Sequence, residues 1–145
     1  VKTIHNVTVV DAPAETVWRV ITDLDHYGEW NPFITALSGD LRVGGRLSAT
    51  FALAGAKPRT FTPTVTVLEP GRRLTWLGHL AIRGLFDAEH TIAISPREQR
   101  TELTHTEHFR GLFVPLLRGT LAKTHQAFLA MDAALARRAT APAGS

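Results

Sequence analysis

His105 and Glu107 stand two residues apart in the stretch Thr101 to Arg110, which alternates in polarity. In an extended strand that spacing puts both side chains on one face. Leu103 and Phe109 share their parity, while Thr104, Thr106 and His108 fall on the other, so the His-Glu face is read as the inward one. His90, on the preceding strand, joins them if its parity also points inward. A carboxylate beside an imidazole can exchange a proton, each group shifting the other's pKa. Two histidines and a carboxylate can instead hold a transition metal. The plainest reading is that such a pair satisfies its own hydrogen bonds or orients a ligand, so no metal and no cofactor is assigned.

Other catalytic templates are absent. The sequence contains no Gly-x-Ser-x-Gly elbow, no P-loop, no dinucleotide Gly-x-Gly-x-x-Gly and no His-Glu-x-x-His. It has no cysteine either, which removes disulfides, thiolate metal sites and cysteine nucleophiles together, and fits a reducing cytoplasm. The sequence pI is near 10.0, yet the formal net charge is only +3 and the arginines are scattered from Arg19 to Arg138. A surface that tracks phosphates concentrates its charge, so no nucleic-acid partner is expected. No apolar run is long enough to span a bilayer, and residues 1–20 lack the basic-then-apolar order of a signal peptide. A cytoplasmic protein without stable membrane insertion is the expectation, and a homodimer is compatible with it.

At 145 residues, 44% hydrophobic and 20% charged, the chain has the composition of one globular domain large enough for a core with an internal cavity. The domain is placed at residues 1–138, with 139–145 as a disordered tail. Thr3 to Val10 is rich in β-branched residues and stops at Asp11-Ala12-Pro13, where proline suits the first turn of a helix. Val17, Val20, Ile21 and Leu24 then give that helix one apolar face. A second helical turn around Tyr27 to Trp30 ends before Pro32. Between Ile34 and Arg110, turn signals at Gly44-Gly45, Gly55 to Pro58, Pro70-Gly71, Arg83-Gly84 and Pro96 to Gln99 divide the chain into six strands. From Pro115 onward Leu117, Leu121, Thr124, Phe128, Met131 and Leu135 recur at steps of four and three. Arg118, Lys123, Gln126 and Asp132 are assigned to the other side of this long amphipathic helix.

This element order, with Asp11-Ala12-Pro13-Ala14-Glu15-Thr16-Val17-Trp18, Asp23 and Trp30-Asn31-Pro32, resembles the START-like superfamily, also called SRPBCC or Bet v 1-like. Within it the chain is most similar to the polyketide cyclase/dehydrase and lipid-transport group, a likeness that extends through Thr101 to Leu112 and Pro115-Leu116-Leu117. The resemblance implies an α+β helix-grip fold: a seven-stranded antiparallel sheet wrapped around the C-terminal helix, with two short helices after the first strand. It also implies that the aromatase/cyclases of the group carry a pocket arginine on a middle strand and a tyrosine just after the second short helix. Here the strand Thr62 to Leu68 has no arginine, Ile34 stands near the tyrosine's place, and Tyr27 does not restore the pair. That departure counts against a cyclase.

The expected function is burial of a small hydrophobic or aromatic ligand, lipid- or polyketide-like, between sheet and helix. The residues expected to bind it are Tyr27, Trp30, Trp76, His90, His105 and Glu107, with Phe109, Leu117, Leu121, Phe128 and Met131 completing the wall. The first alternative is a cofactor-independent cyclase, aromatase or dehydratase in which His105 and Glu107 exchange protons. The second is a protein-interaction domain like the chaperone-ATPase activators of the superfamily, which a filled interior with an exposed apolar patch would favour.

Overall fold

A computed structural model describes residues 2–79 and 84–141. Arg83 of the turn expected at Arg83-Gly84 and residues 142–145 of the expected tail lie outside the described residues. Strand β1 (Lys2–Val10) runs into helix α1 (Ala14–Thr22), with Pro13 at its N-cap and Val17 and Ile21 buried. A 3-10 turn (Leu24–His26) leads to the single helical turn α2 (Tyr27–Trp30). Asn31 ends it: the backbone N–H groups of Phe33 and Ile34 donate to Asn31 Oδ1 at 2.9 and 2.8 Å, turning the chain into the sheet.

The sheet strands are β2 (Ile34–Gly39), β3 (Leu47–Phe51), β4 (Arg59–Phe61), β5 (Thr64–Glu69), β6 (Arg73–His79), β7 (Asp87–Arg97) and β8 (Arg100–Arg110). They form two antiparallel sheets, β1-β8-β7-β6-β5 and β2-β3-β4, rather than the single seven-stranded sheet expected. The eighth strand arises at Thr62-Pro63. The stretch expected as one strand through Leu68 divides there, because Pro63 has no N–H with which to continue a ladder. β4 pairs with β3 and β5 with β6, so the chain changes sheet at this proline. The sheets stay stitched together by the bridge between Arg46 and Thr64 and by Gly44 N donating to Val65 O at 2.8 Å. Gly44 takes a φ of +84° in this turn, as the Gly-Gly signal implied.

A second 3-10 turn (Val114–Leu117) precedes helix α3 (Arg118–Thr140), which packs across β1, α1 and α2. The helix continues past the expected boundary at residue 138, and Ala139 is buried. Leu121, Thr124, Phe128, Met131 and Leu135 are buried at their steps of three and four, as the periodicity predicts. Asp132 corrects that assignment. It lies one turn after Phe128 on the same face and is 1% exposed, not on the solvent side. No helix among the described residues is long and apolar enough to cross a membrane.

Candidate functional site

Register decides the site. Trp76 on β6 is directly opposite His90 on β7, and His90 is directly opposite Glu107 on β8. One step along, Ile92 faces His105, and His105 faces Asn6 of β1. Side chains in such rows, and diagonal neighbours between rows, come within reach on one face. The inward parity expected of β8 is observed: Leu103, His105, Glu107 and Phe109 are buried, as is His90 on β7.

These positions join into a buried polar chain. Glu107 Oε2 lies 3.1 Å from His90 Nδ1, His90 Nε2 lies 2.9 Å from His105 Nε2, and His105 Nδ1 lies 2.7 Å from Asp132 Oδ1. Asn6 Nδ2 donates to the other Asp132 oxygen at 2.7 Å. Aromatic rings clamp both imidazoles: Trp76 stacks on His90 with centroids 4.7 Å apart, and Phe128 on His105 at 3.8 Å. Asp132 is the member that the sequence reading placed on the wrong side; its signal was the four-residue step from Phe128.

Burial, and then the neighbouring His90, push the His105 pKa down, partly offset by the hydrogen bond and charge of Asp132 and the charge of Glu107. A neutral His105 that donates from Nδ1 to the Asp132 carboxylate has an unprotonated Nε2, so His90 Nε2–H donates to it. One proton then remains for the His90–Glu107 bond, on Nδ1 or on Oε2. Glu107 is thereby a carboxyl group able to give or take a proton through an adjacent imidazole. Among the described residues no group of three or more histidine and carboxylate side chains is arranged to hold a metal ion.

A cavity of about 320 Å³ opens beside this chain, between α3, the small sheet and β6 to β8. Of the expected ligand residues, Trp76, Glu107, Phe109, Leu117 and Leu121 line it. His90, His105, Phe128 and Met131 are buried but outside the lining, so His105 reaches the cavity only through His90 and Glu107. Tyr27 and Trp30 do not line it: their rings pack on each other with centroids 5.1 Å apart, and Tyr27 Oη donates to Ile21 O at 2.5 Å. Burial raises the Tyr27 pKa, with the charge of Asp23 adding to the effect, so the phenol stays a donor.

The sequence reading missed the aromatic wall of Phe33, Phe51, Phe61 and Phe86, together with Arg59. Phe51 and Arg59 are register partners on β3 and β4, a pairing hidden while β4 and β5 were read as one strand. An arginine does face the cavity, from β4 rather than from the stretch in which its absence was noted. Of the histidines treated as surface or satisfied residues, His5, His26, His79 and His108 bond to Thr106, Asp23, Asp87 and Thr3.

The model of the family described as polyketide cyclase/dehydrase and lipid transport matches residues 2–140. The chain belongs to that family. Solved structures similar to this polyketide cyclase/dehydrase and lipid-transport domain include the Zhui aromatase/cyclase from Streptomyces sp. R1128, at 20% identity. It covers 99% of this chain and 98% of that one, with a TM-score of 0.78. Truncated norcoclaurine synthase from Thalictrum flavum aligns at 18% identity over 97% of this chain and 94% of its own, with a TM-score of 0.73. The hypothetical protein jhp0584 from Helicobacter pylori reaches a TM-score of 0.79 at 14% identity, over 95% and 88% of the two chains. At these identities the likeness is one of fold. No curated protein matches the chain.

Proposed function

We propose that the chain binds a small hydrophobic or aromatic molecule, lipid- or polyketide-like, in the cavity beside Glu107. The observation that carries this reading is a space of about 320 Å³ walled by phenylalanine, tryptophan and leucine side chains. Pockets of about this size, mostly apolar with a few polar groups, are typical small-molecule sites. Burying 200 Å² of apolar ligand surface, at about 25 cal/mol per Å², contributes roughly 5 kcal/mol before the entropic cost of association. Glu107, the only carboxylate of the lining among the described residues, would orient a hydroxyl or carbonyl of the ligand. The open cavity also weighs against the protein-interaction alternative, for which a filled interior was the expected sign.

The test uses the neutral fluorophore N-phenyl-1-naphthylamine. Native protein is expected to bind it with a rise in emission, and Leu121→Trp, which extends a lining side chain into the space, is expected to abolish the rise. Equal binding by both proteins would overturn the reading. Native mass spectrometry of protein from its own host would name the chemical class of a retained molecule.

A second reading is favoured by the contact between Glu107, in the cavity lining, and the buried His90. In it the protein is a cofactor-independent cyclase or dehydratase in which Glu107 accepts a proton from carbon or oxygen of the bound molecule and returns it elsewhere, with His90 and His105 behind it. The family description and the printed names of the aromatase/cyclase and the synthase are consistent with such chemistry. A four-residue polar chain in the core is a costly way to obtain packing alone, since apolar side chains of like volume commonly serve at least as well.

A further inference from the structure

We propose that the molecule held in the cavity is an amphiphile with an anionic end, a carboxylate or its chemical equivalent, lodged at the mouth while its apolar body lies inside. This rests on the cavity-binding reading and adds the charge of the ligand. Lys57 and Arg59 line the cavity from the β3–β4 connection and β4, and Lys123 lines it from α3. All three are exposed, so they form a rim rather than a floor. Lys123 reaches across the opening: its Nζ lies 3.8 Å from where a Cβ on Gly55 would stand, in the turn between β3 and β4.

None of the three pairs with a carboxylate among the described residues. Arg19, Arg42, Arg73, Arg97, Arg100 and Arg138 each have one, and what sets the rim cations apart from cations elsewhere is that all three line one cavity. His79, also in the lining, is engaged with Asp87. Glu107, the single acidic residue of the lining among the described residues, is buried and bonded to His90, and so does not neutralise the rim. Cations gathered on two facing elements repel one another in the free protein, and an anion between them reverses the sign of that energy. A neutral ligand would leave the repulsion in place. The polarity of the site therefore runs from a cationic rim through an aromatic wall to the buried Glu107 carboxyl group bonded to His90.

Decanoate and decan-1-ol share an apolar body and differ in charge, which makes them suitable probes. Calorimetric titration of the native protein at about 20 mM and about 500 mM NaCl should show decanoate binding roughly tenfold more tightly than the alcohol at low salt, with most of that preference lost at high salt. The triple variant Lys57→Gln, Arg59→Gln, Lys123→Gln should bind the two with equal affinity, and its binding of the alcohol shows that it is folded. Equal affinities in the native protein, or a preference that survives in the triple variant, would overturn the inference while leaving cavity binding intact. Failure of both probes to bind the native protein, or binding of both unaffected by Leu121→Trp, would overturn the cavity reading and this inference with it.

Discussion

The Nε2 atoms of His90 and His105 stand 2.9 Å apart inside the core, and each ring's Nδ1 faces a carboxylate, Glu107 on one side and Asp132 on the other. Between two imidazoles that contact requires one donor and one acceptor, so the rings cannot both be fully protonated without breaking it. Because His105 is fully buried and its pKa is pushed down, it is the ring that remains neutral. The end of this polar chain that reaches the cavity is the His90–Glu107 contact.

Stability should fall on the acid side of neutrality. The folded-state pKa of His105 lies below the ordinary value of 6.5, so the unfolded chain takes up a proton there before the folded chain does. This contribution is complete well above pH ~6.5 and is lost as the pH falls through the folded-state value, so pH ~7.5 and ~5.5 bracket the fall. Urea unfolding of the native protein and of His105→Gln at those pH values should show a smaller loss for the variant. His26 acts in the opposite sense, because Asp23 raises its pKa, and it cancels in the comparison. Equal losses would show that His105 does not titrate differently on folding.

Asp132→Ala should cost about 3 kcal/mol, since it strips His105 Nδ1 and Asn6 Nδ2 of a shared buried acceptor. Asp132→Asn retains an acceptor and should cost clearly less. Denaturant midpoints at constant slope read the difference, and a cost for Ala no greater than for Asn would show that the carboxylate does not anchor the chain.

Glu107→Gln separates holding from chemistry. Binding of N-phenyl-1-naphthylamine should survive, because the apolar wall is unchanged. If the cavity performs proton transfer, native protein in deuterium oxide should speed exchange of the α-protons of decan-2-one, and the variant should lose that acceleration by about a hundredfold or more. Mass spectrometry of the recovered ketone measures it. Exchange no faster than in buffer would leave the protein a binder.

Gly111 joins β8 to the 3-10 turn before α3 with a φ of +124°, and a Cβ there would lie 2.4 Å from Leu85 O. Gly111→Ala should destabilise by about 2 kcal/mol, from the backbone region alone and from the clash. Thermal unfolding checks this, and an unchanged midpoint would contradict it.

The sequence by itself determined the elements and their faces. Period-two alternation put His105, Glu107 and Phe109 on the inner face of β8, and steps of three and four put Leu121, Phe128 and Met131 under α3, because local backbone geometry sets those periods. The turn signals located the strand ends, except at Thr62-Pro63, where a missing N–H changes the pairing partner without ending the extended backbone. Which residues meet was decided by tertiary structure alone. Strand register brought His90 opposite Glu107, and the docking of α3 carried Asp132 to His105 across 27 residues of chain. A charged residue is assigned to solvent by composition, and only a partner from another element makes its burial affordable. Tyr27 and Trp30 lie outside the cavity lining for the same reason: their aromatic character is local, whereas their position relative to the cavity depends on how α2 packs.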